Sequence, residues 1–204
     1  MASSETALQG QRVSAQGLAE QVAVGDLVFI RIPALPFRKV SEATASWTNH
    51  VGIVLDVCGD EPMIGESRVP WSGTTWLSRF VARSEARRVA VARLRTGLTA
   101  EQRRGVAAAA KARAGVLYDA AFDLHSRRQF CSRYVREVLT EATGTTVGDV
   151  ESFSSLLDRN PRADLLFWRI WYFGRIPWQR RTVTPASLLG SPELRTLFDG
   201  TVAR

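Results

Sequence analysis

Cysteine and histidine are scarce in this chain, with two of each. Cys58 and Cys131 are too few for a disulfide framework, and with His50 and His125 they show no zinc-type spacing. No structural metal and no cofactor is therefore expected. Long apolar runs are also missing: nowhere do about 18 apolar residues follow one another, which argues against a membrane-spanning helix. The first residues, with Ser3, Ser4, Glu5, Gln9, Gln11 and Arg12, lack the apolar stretch of a secretory signal, so a cytoplasmic location is expected. Repeats, low-complexity blocks and dense Lys/Arg runs are absent, and with no nucleic-acid motif no specific nucleic-acid partner is expected.

What is there suits one globular domain. The chain has 204 residues, 45% of them hydrophobic and 23% charged, enough for a sizeable core and against bulk disorder. Its formal net charge of +7 comes mostly from arginine. That suits attraction to anionic lipid, acidic polymer or nucleic acid without choosing among them.

Residues 1–22 read as a loose arm or one short helix around Leu18–Val22. A Gly25-Asp26 break then feeds a strand through Leu27, Val28, Phe29 and Ile30, ended by Pro33 and Pro36. A polar connection from Arg38 to Thr48 leads to a second strand, Asn49–Val57, which carries His50 at its start. After Cys58-Gly59-Asp60 the chain returns through Pro62–Glu66 as a hairpin. Its register decides whether Glu66 meets His50. A three-residue loop at 58–60 pairs Gly52 with Glu66 and sets Glu66 diagonally from His50 on the same face, whereas a two-residue turn puts them on opposite faces.

Residues 67–86 read as a short helix under the sheet, and Arg87–Leu94 as a further strand. Thr99 with Gln102 is a capping-box pattern opening an alanine-rich helix that ends near Gly115. Another short helix is expected over Ser152–Asp158. The most hydrophobic stretch, Leu165–Trp178, is too short and too interrupted by arginine to span a bilayer. It reads as a flap over a core or substrate groove, with contact to an anionic membrane surface as the second reading.

From Cys131, the residues Tyr134, Val135, Val138, Leu139 and Ala142 fall on one face of a helix that Gly144 stops. The thiol thus sits in the first turn, where unpaired N–H groups at the positive end of the dipole favour a thiolate. No Ser, Thr, Asp or Asn precedes it to cap those donors, which leaves them for an oxyanion. His50, Glu66 and Cys131 together supply a nucleophile, an imidazole to move its proton and a carboxylate to orient the imidazole. Plainer readings stay open on spacing alone. Cys131 can be a small packed residue, His50 a hydrogen-bonded core residue, and Glu66 a partner of Arg68 or Arg88. His125, in an arginine-flanked loop, reads as solvated, and Cys58 as a bystander.

Five local motifs resemble, in this order, those of the circularly permuted papain-fold cysteine hydrolases of the YiiX/YebB kind. They are Gly25-Asp26-Leu27-Val28-Phe29, Asn49–Val54, Gly65-Glu66-Ser67, Tyr118-Asp119 with Phe122, and Phe130-Cys131-Ser132. The likeness covers about residues 24–140 and extends to NlpC-type peptidases. It implies an α+β, permuted papain-like (NlpC-like) fold, an antiparallel sheet packed against helices, with a catalytic core over 23–145 and a C-terminal extension over 146–204 in the same domain. It also implies Cys131 as nucleophile, His50 as general base and acid, and Glu66 as the orienting residue. Tyr118 and Ser132 would contact substrate, and Asp26 would be structural. Such relatives usually place an acidic residue after the Cys-Ser pair, where this chain has Arg133. The implied activity is hydrolysis of an amide, in a peptide or amino-acid conjugate, through an acyl-thioester. Acyl-lipid hydrolysis or acyl transfer is the alternative within the fold, and a non-enzymatic basic binding module the alternative outside it.

Overall fold

The computed structural model describes residues 9–203 except Arg162. The first eight residues of the expected N-terminal arm lie outside the described residues. The rest of that arm is built into the fold, as strand β1 (Gln9–Val13) and helix α1 (Ala15–Gln21), whose Leu18 is buried.

Strands β2 (Leu27–Ile30), β3 (His50–Asp56), β4 (Met63–Ser67), β5 (Ser72–Trp76), β6 (Arg88–Leu94) and β9 (Leu194–Val202) join β1 in one sheet. Its order is β1-β9-β6-β2-β3-β4-β5. The pairs are antiparallel except β1 with β9, where Val13 lies beside Val202 in a parallel ladder. The α+β expectation therefore holds, with one parallel edge added. Two short strands, β7 (Glu151–Ser152) and β8 (Arg181–Thr182), form a separate ribbon.

Both faces of the sheet are covered, which is why β2 is apolar and buried at every position. On one face, Leu27, Phe29, Val51 and Ile53 pack under α4 (Ala100–Ala112) and α5 (Cys131–Thr143), through Val106, Val135, Val138 and Leu139. On the other, Val28, Ile30, Val54 and Ile64 pack against α1 and α3 (Leu77–Ala82), through Leu18, Leu77, Phe80 and Val81. A third apolar cluster stands apart. Helices α2 (Leu35–Ala43), α6 (Phe153–Arg159) and α7 (Leu165–Trp171) meet there through Ala43, Phe153, Leu156 and Trp168. The short α8 (Pro185–Leu189) packs against α5.

Three expectations about local structure change. The polar connection is in part a helix, α2, because Pro36 sits in its first turn, where a missing N–H is harmless, and Phe37, Val40 and Ala43 share a face. Residues 67–86 are not one helix. Ser67 turns back to pair with Ser72, so β5 extends the sheet before α3 begins at Leu77. Strand β9 was not anticipated, although Phe198, Gly200 and Val202 alternate as buried positions with exposed or half-buried ones.

Candidate active site

His50 opens β3 and is fully buried. With strand alternation, His50, Gly52 and Val54 point to the α3 face. A β-carbon on Gly52 would lie 2.5 Å from Ile64 Cγ2 and 2.9 Å from Phe80 Cε2, so this glycine lets Phe80 close over the strand. The Phe80 ring then lies 5.6 Å from the imidazole, and Phe37 of α2 approaches it edge-on at 6.2 Å.

Glu66 lies on the neighbouring β4, and the register is the one that joins it to His50. Ile53 pairs with Gly65 and Val54 with Ile64. One step further along that ladder sets Gly52 opposite Glu66, although the expected three-residue loop is not formed, since Asp56 pairs with Met63 and residues 57–62 make the turn. A bulge between Val54 and Asp56 shifts the pairing nearer the turn without disturbing this end. His50 Nε2 and Glu66 Oε2 are 2.7 Å apart with both side chains fully buried.

Arg83, at the C-cap of α3, was missed by the sequence reading. Its Nη2 donates to both carboxylate oxygens of Glu66 at 2.8 Å, and its guanidinium stacks over Phe80 at 4.9 Å. Arg68 adds a longer contact at 3.5 Å. Of the partners expected in solvent, Arg68 thus stands beside Glu66, while Arg88 pairs instead with Asp199. Burial alone would raise the Glu66 pKa, but His50 and Arg83 outweigh it and hold the carboxyl below its ordinary value.

Cys131 opens α5 and is nearly inaccessible. The N-cap residue, Phe130, makes no side-chain cap, so the first N–H groups of the helix are left without that competitor. The approach to the helix is fixed from two directions. Ser67, next to Glu66, donates to the Gln129 carbonyl at 3.0 Å, and Asp119 N–H donates to the same carbonyl at 2.7 Å. Arg133 holds the preceding loop, donating to the Ser126 and Arg128 carbonyls at 2.7 and 2.9 Å while pairing with Glu137 at 2.7 Å.

The sulfur and the imidazole influence each other directly. Burial pulls the His50 pKa down, but the charge and hydrogen bonding of Cys131, followed by those of Glu66, carry it up to about 9. Since Nε2 is engaged by Glu66, the buried Nδ1, which has no hydrogen-bond partner, is the ring atom left to serve the sulfur. Tyr118 is brought to the same place by a bridge to Gln129 and by donating its N–H to the Pro70 carbonyl at 2.9 Å. Its Oη is buried without a partner. Burial, then the neighbouring Cys131, raise its pKa well above the usual phenol value, so the hydroxyl stays a neutral donor.

Cys131, Tyr118 and Ser132 line a cleft of about 630 Å³, including its solvent-open part. The remaining wall is almost wholly apolar, with Phe122, Phe153, Leu156, Trp168 and Ile176 among its residues. Trp168 comes from the tryptophan-rich segment, whose inner side therefore walls a groove as expected. Ser132 presents less than its hydroxyl suggests: Oγ donates to the Val183 carbonyl at 2.8 Å, joining α5 to the opposite wall. His125 and Cys58 are exposed and stand apart from the cleft lining. Asp26 is structural, accepting from Arg93 Nε and Nη2 at 2.7 Å and from Ala23 N–H at 2.8 Å.

No helix is long and apolar enough to cross a membrane, among the described residues. Comparison with known proteins finds YiiX of Escherichia coli strain K12, 27% identical over 185 residues, which are 91% of this chain and 90% of that protein. The crystal structure of metalloprotein YiiX from Escherichia coli O157:H7 superposes with a TM-score of 0.81 at 27% identity, covering 89% of this chain and 99% of that one. The likeness noticed over residues 24–140 thus extends well into the C-terminal part. The model of the family described as "Permuted papain-like amidase enzyme, YaeF/YiiX, C92 family" matches residues 21–198. That span includes β2 to β6, helices α4 and α5 and the first half of β9, and on this extent the chain belongs to the permuted papain-like amidases and is an enzyme.

Proposed function

We propose that the protein hydrolyses an amide bond through an acyl-thioester on Cys131. The observation that carries this reading is the buried His50–Glu66 pair, 2.7 Å apart, which leaves the buried Nδ1 without a partner. Nδ1 already holds the proton given up by the thiol, and the sulfur attacks the substrate carbonyl. The first N–H groups of α5, that of Ser132 included, and the Tyr118 hydroxyl supply donors for the oxyanion. As the C–N bond breaks, His50 returns the proton to the departing amine. Water then attacks the thioester, giving its proton to His50, and the carboxylic acid leaves as the thiol reforms. Glu66 holds the imidazole in place, and Arg83 in turn holds Glu66.

The cleft favours a substrate whose acyl part is apolar, since little in its wall pairs with charge. The same observation supports a second reading, hydrolysis or transfer of an acyl group from a lipid ester. YiiX is described as a metalloprotein. Among the described residues of this chain, however, no three His, Cys, Asp or Glu side chains gather as a metal site. Nε2 of His50 and both oxygens of Glu66 are already engaged, so no step is routed through a metal.

An iodoacetamide-type probe read by peptide mass spectrometry tests the nucleophile. Cys131 should be labelled in the wild type and the label should vanish in Cys131→Ser; labelling confined to Cys58 would defeat the assignment. Panels of N-acyl amino acids and phospholipids, followed by mass spectrometry of the products, separate amide from ester.

A further inference from the structure

Helix α7 has two unlike sides. Trp168 faces inward to the cleft, whereas Leu166 and Ile170 are each 69% exposed and Phe173, just beyond the helix, is 97% exposed. Phe173 also adopts a left-handed backbone, φ 51°, which a bulky side chain rarely takes. A strained residue holding an aromatic ring wholly in water gains nothing from the fold around it. Past its N-cap Asp164, which is paired with Lys39, the segment carries charge of one sign. From Leu165 to Pro192 the chain has no Asp or Glu, but it has Arg169, Arg175, Arg180 and Arg181. Arg169 and Arg175 are exposed, and among the described residues neither forms an ion pair.

An apolar ridge flanked by unpaired arginine, on a segment without carboxylates past its N-cap, fits one kind of surface, in which hydrocarbon lies beneath a layer of anions. We propose that Leu166, Ile170 and Phe173 insert into the interface of an anionic lipid bilayer while Arg169 and Arg175 contact its headgroups. The same segment carries Trp171 and Trp178, the latter 43% exposed, and indole rings favour the headgroup layer. The same helix walls the cleft from within, so docking holds the protein with this wall against the lipid. The proposal does not depend on the chemistry assigned to Cys131.

Flotation of the full chain with phosphatidylcholine vesicles, with and without phosphatidylglycerol, tests it. The wild type should float with the anionic vesicles, less so at high salt. Phe173→Asn, which tolerates the left-handed backbone, and Ile170→Gln should together lower partitioning roughly tenfold or more. Arg169→Ala and Arg175→Ala should each lower it about fivefold. Unchanged circular dichroism would establish that the variants remain folded. Absence of the wild type from anionic vesicles would overturn the proposal, as would equal flotation of the Phe173→Asn, Ile170→Gln variant. So would a concentration-dependent dimer in sedimentation equilibrium that Ile170→Gln abolishes while vesicle binding persists, since the ridge would then serve a second copy of the chain.

Discussion

At the scale of single residues, the chain carries only two histidines, so the titration of His50 can be followed without ambiguity once His125 is replaced by Gln. Nuclear magnetic resonance should find His50 protonated through neutral pH and losing its proton near 9, against an ordinary 6.5. Cys131→Ala removes the largest influence raising that value, so the titration should move down; an unmoved midpoint would show that sulfur and ring are not neighbours. The basic limb of the rate profile should fall where His50 loses its proton. Glu66 behaves oppositely. Its carboxylate is favoured by the fold, so the stability it contributes is present above its ordinary 4.5 and is lost as pH falls through the lowered value. Glu66→Gln should therefore flatten the acid limb of thermal stability measured by calorimetry. Arg83 is a positioning residue, a third exposed, and Arg83→Met should cost on the order of 1–3 kcal/mol of stability. Its effect should fall on kcat rather than KM, and the His50 titration should move little, since Cys131 and Glu66 remain.

Between elements, the closest approach that matters is β4 against α5. A β-carbon on Gly65 would sit 2.7 Å from Tyr134 Oη and 2.8 Å from Leu55 Cδ1. Gly65→Ala should push apart the strand that carries Glu66 and the helix that carries Cys131. Urea unfolding should report a loss of about 1–3 kcal/mol, with activity falling further than stability explains. The control is Gly144→Ala, at φ 75° beyond the far end of α5, which should cost about 1 kcal/mol and spare the rate. Helix α5 was legible in the sequence because its apolar period is unbroken from Cys131 to Ala142, and β3 because its run is apolar. The His50–Glu66 pairing was legible only as a choice between two registers, since face alternation follows from loop length. Arg83 was not legible at all: its partner is set by where α3 comes to rest, and among so many arginines nothing local distinguishes it. Strand β5 was hidden because Ser72, Gly73, Thr74 and Thr75 carry little apolar signal and are paired chiefly by backbone bonds to β4. The unusual Arg133 is explained by the carbonyls it gathers ahead of the cysteine.

For the molecule as a whole, the third cluster is the weak point. It joins α2, α6 and α7 outside the two layers that cover the sheet, and Lys39 ties α2 to α7 through Asp164 at 3.0 Å. Hydrogen exchange should therefore be fastest in these helices and slowest in β2, β3 and β6, which are buried on both faces. Lys39→Ala should speed exchange in α2 and α7 without changing that of β3; uniform protection across the chain would contradict this division. The parallel seam between β1 and β9 leads to one more consequence. It sets the end of β1, Val13, beside the end of β9, Val202, so joining the two edge segments takes a linker that runs back the length of β1, and a new opening at the exposed Arg127 and Arg128 would yield a rearranged polypeptide whose thiol comes near its beginning and whose imidazole follows. Because strand order in space would be untouched, such a rewired enzyme should still react with the cysteine probe, making gene order and architecture separable here by experiment.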